Sequence, residues 1–284
     1  MNTREGRPTL VLGGTGKTGR RVVERLEARG LPVRVGSRSG KPPFDWEDQA
    51  TWASALDGVG SVYLTHYLDA LPGAAETVGA FAEQSVASGA TRLVLLSGRG
   101  EHEAELVEQA VRDSGAELTI LRSTWFSQNF SESYFRDFVL EGEVALPAGD
   151  TPEPFVDADD IADVAVAALT DDRHIGQLYE LTGPRLLSFA EAVEEIAEAS
   201  GREIRYVPIP LESFASEMAA QGVPDDVIDL LTYLFSEVLD GRNAHLADGV
   251  ERALGRQPRD FRAYARAAAA TGVWHPSLAH ESAA

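Results

Sequence analysis

Residues 13–19 read GGTGKTG, between the apolar run TLVL and a helix-forming stretch, and glycines so spaced serve phosphate binding. Two devices share such residues. A triphosphate cradle needs G-x-x-x-x-G-K-[ST]; Gly16, Lys17 and Thr18 supply its end, but the position five before Gly16 is Val11, still inside the apolar run. Magnesium would also need an apolar strand ending in Asp, whereas VYLT (62–65) and LVLLS (93–97) end in hydroxyl residues. Gly13, Gly16 and Gly19 instead make G-x-x-G-x-x-G, a variant of the dinucleotide fingerprint. The first glycine allows the tight turn, the second lets backbone N–H groups approach a pyrophosphate, and the third lets helix and strand pack closely. The loop therefore assigns Gly13, Thr15, Gly16, Lys17, Thr18 and Gly19 to a dinucleotide.

The end of the second strand decides which dinucleotide. An NAD site places Asp or Glu about 20 residues past the glycines to bind the ribose hydroxyls. Here that count reaches Arg38 in GSRSGK (36–41), with no acid before Asp45. Arg38 can grip a 2′-phosphate bidentately, with Ser39 and Lys41 adding contacts, so the expected cofactor is NADP(H).

The elements that must position these residues follow from apolar periodicity. Strands are expected at TLVL (9–12), VRVG (33–36), SVYLT (61–65), RLVLLS (92–97) and LTILR (118–122), with helices at 17–29, 49–57, 73–88 and 102–114. Such alternation means an α/β fold of Rossmann type, a doubly wound parallel sheet covered on both faces. Its ligands sit beyond the carboxyl ends of the strands, which adds Thr65 and Ser97 to the cofactor site.

Composition limits the alternatives. The 284 residues are 44% hydrophobic and 25% charged, as in ordinary soluble globular proteins. No apolar stretch is long enough to cross a membrane, and MNTREGRPTL lacks an apolar signal core, so a cytoplasmic protein is expected. With no cysteine and six scattered histidines, neither thiolate chemistry nor a metal site is expected. A formal charge of −20 argues against direct nucleic-acid binding. Monomer and homodimer are both compatible with the sequence.

GGTGKTGRRV, FDWEDQATWASALDGVGSVYL, SGAELTILRSTWFSQNF, PFVDADDIADVAVAALTD and YELTGPRLLSFAEAVEEIA together resemble the NmrA-like group of atypical short-chain dehydrogenases/reductases, over nearly the whole chain. The resemblance implies a Rossmann domain and a smaller C-terminal domain that closes over the nicotinamide end. It carries Gly13, Gly16, Gly19 and Arg38 to the cofactor and suggests that Thr65, Ser97, Tyr67, Trp125, Phe126 and Asn129 line the cleft. Trp125 and Phe126 could equally be wall or core. The segment PFVDADDIADVAVAALTD is read as structural, with Asp157 or Asp159 capping a helix.

Ordinary short-chain dehydrogenases use Tyr-x-x-x-Lys as proton donor, and this sequence has no such pair. The remaining candidates for the acid are His66 and Tyr67 beyond the third strand and His102 at the start of the helix after LVLLS.

From residue 183 helices dominate. Ser188 and Glu191 form a capping box for a helix stopping at Gly201, a strand is expected at 205–210, and helices near 211–221 and at 225–239 follow. Tyr233 and Phe235 on the last could face a substrate pocket or a partner. The expected division is 1–182 for the NADP-binding domain, with 141–155 open to assignment to the smaller one, and 183–284 for a mainly helical substrate or lid domain. The function expected is NADP(H)-dependent reduction of a small, largely apolar quinone, enone, carbonyl or imine in a cleft between domains. A redox-sensing regulator that binds the cofactor without turnover, and an enzyme that does not consume it, are the alternatives.

Overall fold

The computed structural model of the chain describes residues 6–66, 70 and 72–276. The strands are β1 (Thr9–Leu12), β2 (Val33–Gly36), β3 (Ser61–Leu64), β4 (Arg92–Gly98), β5 (Glu117–Ser123), β6 (Glu143–Leu146), β7 (Leu178–Leu181) and β8 (Arg205–Pro208). Two compact units divide them. The first comprises the chain through Ser123, Ala158–Leu181 and Asp248–Arg256; the second comprises Thr124–Asp157, Thr182–Ala247 and the chain from Gln257.

In the first unit a six-stranded, wholly parallel sheet runs in the order β2-β1-β3-β4-β5-β7. Because strand side chains alternate between faces, Leu93 and Leu95 of β4 and Leu118 and Ile120 of β5 share one face. They pack there with Val78, Phe81, Val107 and Val111 from the helices Ala74–Ala87 and His102–Asp113. The other face carries the helices Lys17–Ala28 and Ala158–Thr170, which pack on each other and are tied by Arg25 to Asp163 (2.6 Å) and Asp159 (2.6 Å). The helices expected at 17–29, 73–88 and 102–114 are present within a residue or two, and the one expected at 49–57 is a 3-10 turn at Gln49–Thr51 continued by an α-helix at Trp52–Leu56.

The second unit is built on an aromatic core. Phe130, Phe135, Phe155, Phe189, Phe214, Phe235 and Phe261 are all buried, and β6 pairs with β8 in parallel beside them. The capping box of Ser188 and Glu191 is formed, and Gly201 ends that helix with a φ of +65°. The helix expected over 225–239 is an α-helix at Asp225–Tyr233 continued by a π-helical turn at Leu234–Val238, which turns Phe235 into the core.

A single boundary after residue 182 does not describe this division. Residues 124–157 join the second unit because Trp125, Phe130, Phe135, Phe138 and Phe155 need its aromatic partners. Residues 248–256 return to the first unit because Gly249 lies directly on the Glu180 backbone, Arg252 covers the Tyr179 ring at 5.2 Å, and Arg256 reaches Asp160 (2.7 Å) and Asp163 (2.6 Å). Among the described residues no helix is long and apolar enough to cross a membrane.

Candidate functional site

The strand order reverses at β1, whose neighbours are β2 on one side and β3 on the other. A crevice at such a reversal is where open α/β sheets take ligands, and the glycine loop follows β1 there. Gly13 turns the chain at φ +58°, and its carbonyl accepts a hydrogen bond from the Gly16 N–H at 2.8 Å. A side chain at Gly19 would overlap the Gly13 carbonyl group, with the Gly13 carbon at 2.7 Å and the Gly14 Cα at 2.9 Å, so helix and loop are in contact through that glycine. Gly13, Thr15 and Gly16 are exposed at the apex of the turn, and the first turn of the helix holds no acid. The positive end of a helix start at such a turn favours a negatively charged group. Thr18 is turned inward, buried beside Tyr63.

At the end of β2 the Ser37 carbonyl accepts from the N–H groups of Gly40 and Phe44, both at 2.9 Å, and this turn holds Arg38 and Ser39 out in solvent. Arg38 makes no hydrogen bond or ion pair with the described residues of the chain, so its guanidinium is available to a ligand.

At the end of β3 the Thr65 methyl group lies 3.1 Å from where a Gly13 side chain would begin, so the two loops meet. His66 follows, half-buried with its ring edge-on to Trp46 at 4.9 Å, in an aromatic group that includes Phe44, Trp52 and Phe81. Tyr67 lies outside the described residues. Tyr63 is fully buried, and burial pushes its hydroxyl well above the usual tyrosine range.

Register separates the residues at the ends of β4 and β5 by face. Ser97 is paired with Arg122 and Gly98 with Ser123. Ser97 and Arg122 leave on the side of helix His102–Asp113, where fully buried Glu108 accepts from the Ser97 hydroxyl (2.9 Å) and from two nitrogens of Arg122 (2.6 and 2.8 Å). Arg112 adds a bond to Glu108 at 3.1 Å. The Ser97 hydroxyl is thus committed to a buried ionic cluster on the face away from helix Lys17–Ala28. Gly98 and Ser123 leave on the other face, the one that carries that helix.

Gly98 has no side chain, and the carboxylate of Glu101 folds into the space one would fill. Glu101 precedes helix His102–Asp113 without capping it through its side chain. The Ser123 hydroxyl is buried and has no hydrogen-bond partner among the described residues. His102 is exposed on the first turn of the helix. Sequence reasoning passed over Glu101, Glu108 and Ser123. Only Glu108 left a signal, an acid among Ala104, Val107 and Val111 on the inward face of its helix.

In the second unit Trp125 is buried in the aromatic core, 5.0 Å from Phe235 and 5.3 Å from Phe189, which answers the choice between wall and core for that residue. Phe126 is half-buried and bridges Val156 through its backbone, and Asn129 begins the short helix Asn129–Glu132. Asp157 accepts from Gln128 at 2.7 Å.

The model of the NmrA-like family matches residues 103–265. An uncharacterized oxidoreductase, YesF, of Bacillus subtilis is 34% identical, covering 94% of this chain and 98% of its own. An NAD(P)H azoreductase of Xenophilus azovorans is 31% identical over 92% of this chain and 98% of its own. Among solved structures, an NADPH-dependent quinone oxidoreductase of Escherichia coli complexed with NADPH superposes with a TM-score of 0.75 at 22% identity, covering 90% of this chain and 98% of that one.

Proposed function

The chain belongs to the NmrA-like family of NAD(P)-binding Rossmann proteins, and from that premise we propose that it is an NADPH-dependent oxidoreductase acting on a small, largely apolar electrophile such as a quinone, enone, carbonyl or imine. One arrangement carries the reading. The exposed Gly13–Gly16 turn at an acid-free helix start stands at the reversal of the strand order, with an available arginine at the end of the adjacent β2.

The residues present fit the cofactor. The cradle depends on the missing side chain of Gly19, and Gly13, Thr15, Gly16 and Lys17 would hold a pyrophosphate there. Arg38 and Ser39 would hold a 2′-phosphate, which a carboxylate in their place would repel. Thr65, in contact with Gly13, would line the path between the two halves of the dinucleotide. When bound, the reduced nicotinamide supplies hydride. The named relatives support the reading, since an azoreductase and a quinone oxidoreductase both use reduced nicotinamide cofactors.

For a carbonyl or imine acceptor a proton must accompany hydride. We assign it to His66, Tyr67 or His102, of which His66 is packed on Trp46 and His102 is open to solvent. Replacing the true donor, in His66→Gln, Tyr67→Phe or His102→Gln, is expected to lower turnover at least about a hundredfold and to remove a limb of the pH profile. Three variants with wild-type rates would exclude this set as the source.

The reading is tested by titrating NADPH and NADH into the protein and then following NADPH oxidation with a panel of quinones, enones, imines and azo compounds. NADPH is expected to bind more tightly and to be oxidised with part of the panel. Tight binding without turnover on every acceptor would refute it in favour of a redox sensor, the reading that the missing Tyr-x-x-x-Lys pair supports.

A further inference from the structure

The second unit carries a recess of its own. Helices Phe189–Ser200 and Phe261–Ala270 pack side by side, and where both end a pocket of about 340 Å³ opens beside the residues that follow the second helix. That volume is at the small end of the range for ligand sites, with room for a molecule of one or two rings. Ala269 and Ala270 contribute only methyl groups to one side. Trp274 lies against the pocket, its ring fixed by an indole N–H that donates to the Phe130 carbonyl at 2.8 Å. Arg266 and His275, both exposed, add the cationic and polar part of the lining.

We propose that this pocket binds a small aromatic carboxylate, its ring beside Trp274 and its carboxylate on Arg266. The proposal concerns the second unit alone and stands apart from the reductase reading above. An exposed arginine is ordinarily a solvated surface group. One turn earlier on the same helix, Arg262 is held by Glu195 (3.4 Å) and Glu198 (3.9 Å), whereas Arg266 makes no hydrogen bond or ion pair with the described residues. That is in a chain whose 45 acids outnumber its 25 lysines and arginines. The Arg266 guanidinium, a planar fork that matches a carboxylate, is therefore uncommitted at the edge of a pocket with an aromatic wall.

The two helix ends act against an anion and have to be weighed. A helix carboxyl end carries about half a negative elementary charge, spread over its unpaired carbonyls. Here carbonyls of both last turns have donors: the Ser200 hydroxyl donates to Ile196 at 2.8 Å, the Thr271 hydroxyl to Ala268 at 2.7 Å and the Arg202 N–H to Ala197 at 3.3 Å. The Arg202 guanidinium also donates to the Trp274 carbonyl at 2.8 Å, which brings a second full positive charge beside that residue. No acidic side chain among the described residues lines the pocket. Two guanidinium charges outweigh two capped half-charges, so the field favours an anion, and an organic cation finds no carboxylate to meet it.

The test uses two fluorescent probes of the same shape, 2-naphthoate and neutral 2-naphthamide, titrated into the full-length protein. Wild type is expected to bind naphthoate saturably and at least about tenfold more tightly than the amide, and an excess of NADP⁺ should not displace it. Arg266→Gln should weaken naphthoate by about ten- to a hundredfold and leave the amide within about twofold. Arg266→Lys, which keeps the charge and loses the fork, should recover part of the difference. Ala270→Phe, at an exposed position, should fill the pocket and weaken both probes at an unchanged Tm. Absence of saturable naphthoate binding, displacement of naphthoate by NADP⁺, or an Arg266→Gln protein that binds it as tightly as wild type would overturn the proposal.

Discussion

Gly19→Ala isolates the contact on which the cofactor loop depends. The backbone at Gly19 is not left-handed, so alanine is not excluded by its dihedral angles. It is excluded by neighbours, because a Cβ would meet the Gly13 carbonyl carbon at 2.7 Å and the Gly14 Cα at 2.9 Å. Carbon atoms rest at about 3.5–4.0 Å, so helix Lys17–Ala28 and the loop must separate by roughly 1 Å. Neither neighbour is the flexible end of a side chain, and the backbone itself has to yield. Overpacking of this kind costs about 1–3 kcal/mol, a fall in Tm of roughly 2–10 °C in a chain of this size. The same displacement draws one or two backbone N–H donors away from a bound pyrophosphate. At about 1.5–3 kcal/mol for each bond to a charged group, NADPH affinity should drop by roughly ten- to ten-thousandfold. Gly30→Ala is the control: Gly30 has φ +69° and open space around it, so alanine there carries backbone strain of about 1–2 kcal/mol and leaves the loop alone. Calorimetric titration of NADPH and thermal melting of both variants separate the effects. A Gly19→Ala protein that binds NADPH as tightly as wild type would refute the argument, whatever its Tm.

Arg38→Asp should weaken NADPH by about 2–4 kcal/mol, because repulsion between carboxylate and phosphate replaces a bidentate charged hydrogen bond, while NADH is less affected; a wild type that prefers NADH in the same titration would contradict the assignment. Glu108→Ala strips the partner from Arg122 and from the Ser97 hydroxyl in the interior, and urea unfolding should show a loss of about 3–5 kcal/mol; a loss below about 1 kcal/mol would mean that the cluster is not stabilising. His174 is buried with its Nδ1 2.8 Å from the Tyr179 hydroxyl, and burial, then the charge of Arg173, push its pKa down. The unfolded chain therefore binds the proton more readily near pH 6.5 than the native one, so this contribution to stability is complete above that pH and is lost as pH falls, by at most about 1.4 kcal/mol per pH unit. His174→Gln should flatten the stability curve between about pH 6.5 and 5, and an unchanged slope would show that other groups set it.

Local signals carried the sequence reading far in the first unit. Val22 and Leu26 share the buried face of a helix that a glycine follows, and Ser188 with Glu191 states a capping box that needs only three residues of separation. Such features depend on neighbours in the chain, and they formed as expected. The strand β7 and the return of 248–256 to the sheet had no such signal, because their reasons lie in Tyr179 meeting Arg252 and in the Glu180 backbone meeting Gly249, contacts across some 70 residues.

The candidate site divides in the same way. Glycine spacing and an arginine without a nearby acid are properties of the chain, because a phosphate loop is one turn between a strand and the helix after it; the sequence alone therefore determined the glycine turn after β1, the arginine after β2 and the doubly wound sheet that displays them. Which side chains share a face with that loop was decided only by the tertiary structure. Shifting a strand residue by one place moves it through the sheet: Ser97, at the expected strand end, is spent on Glu108 on the far face, while Gly98 opens the near face to the Glu101 carboxylate beside the buried hydroxyl of Ser123. Trp125, equally plausible from sequence as wall or core, became core once Phe189 and Phe235 arrived beside it from more than 60 residues away, since an aromatic ring is buried by whatever packing the whole fold brings to it.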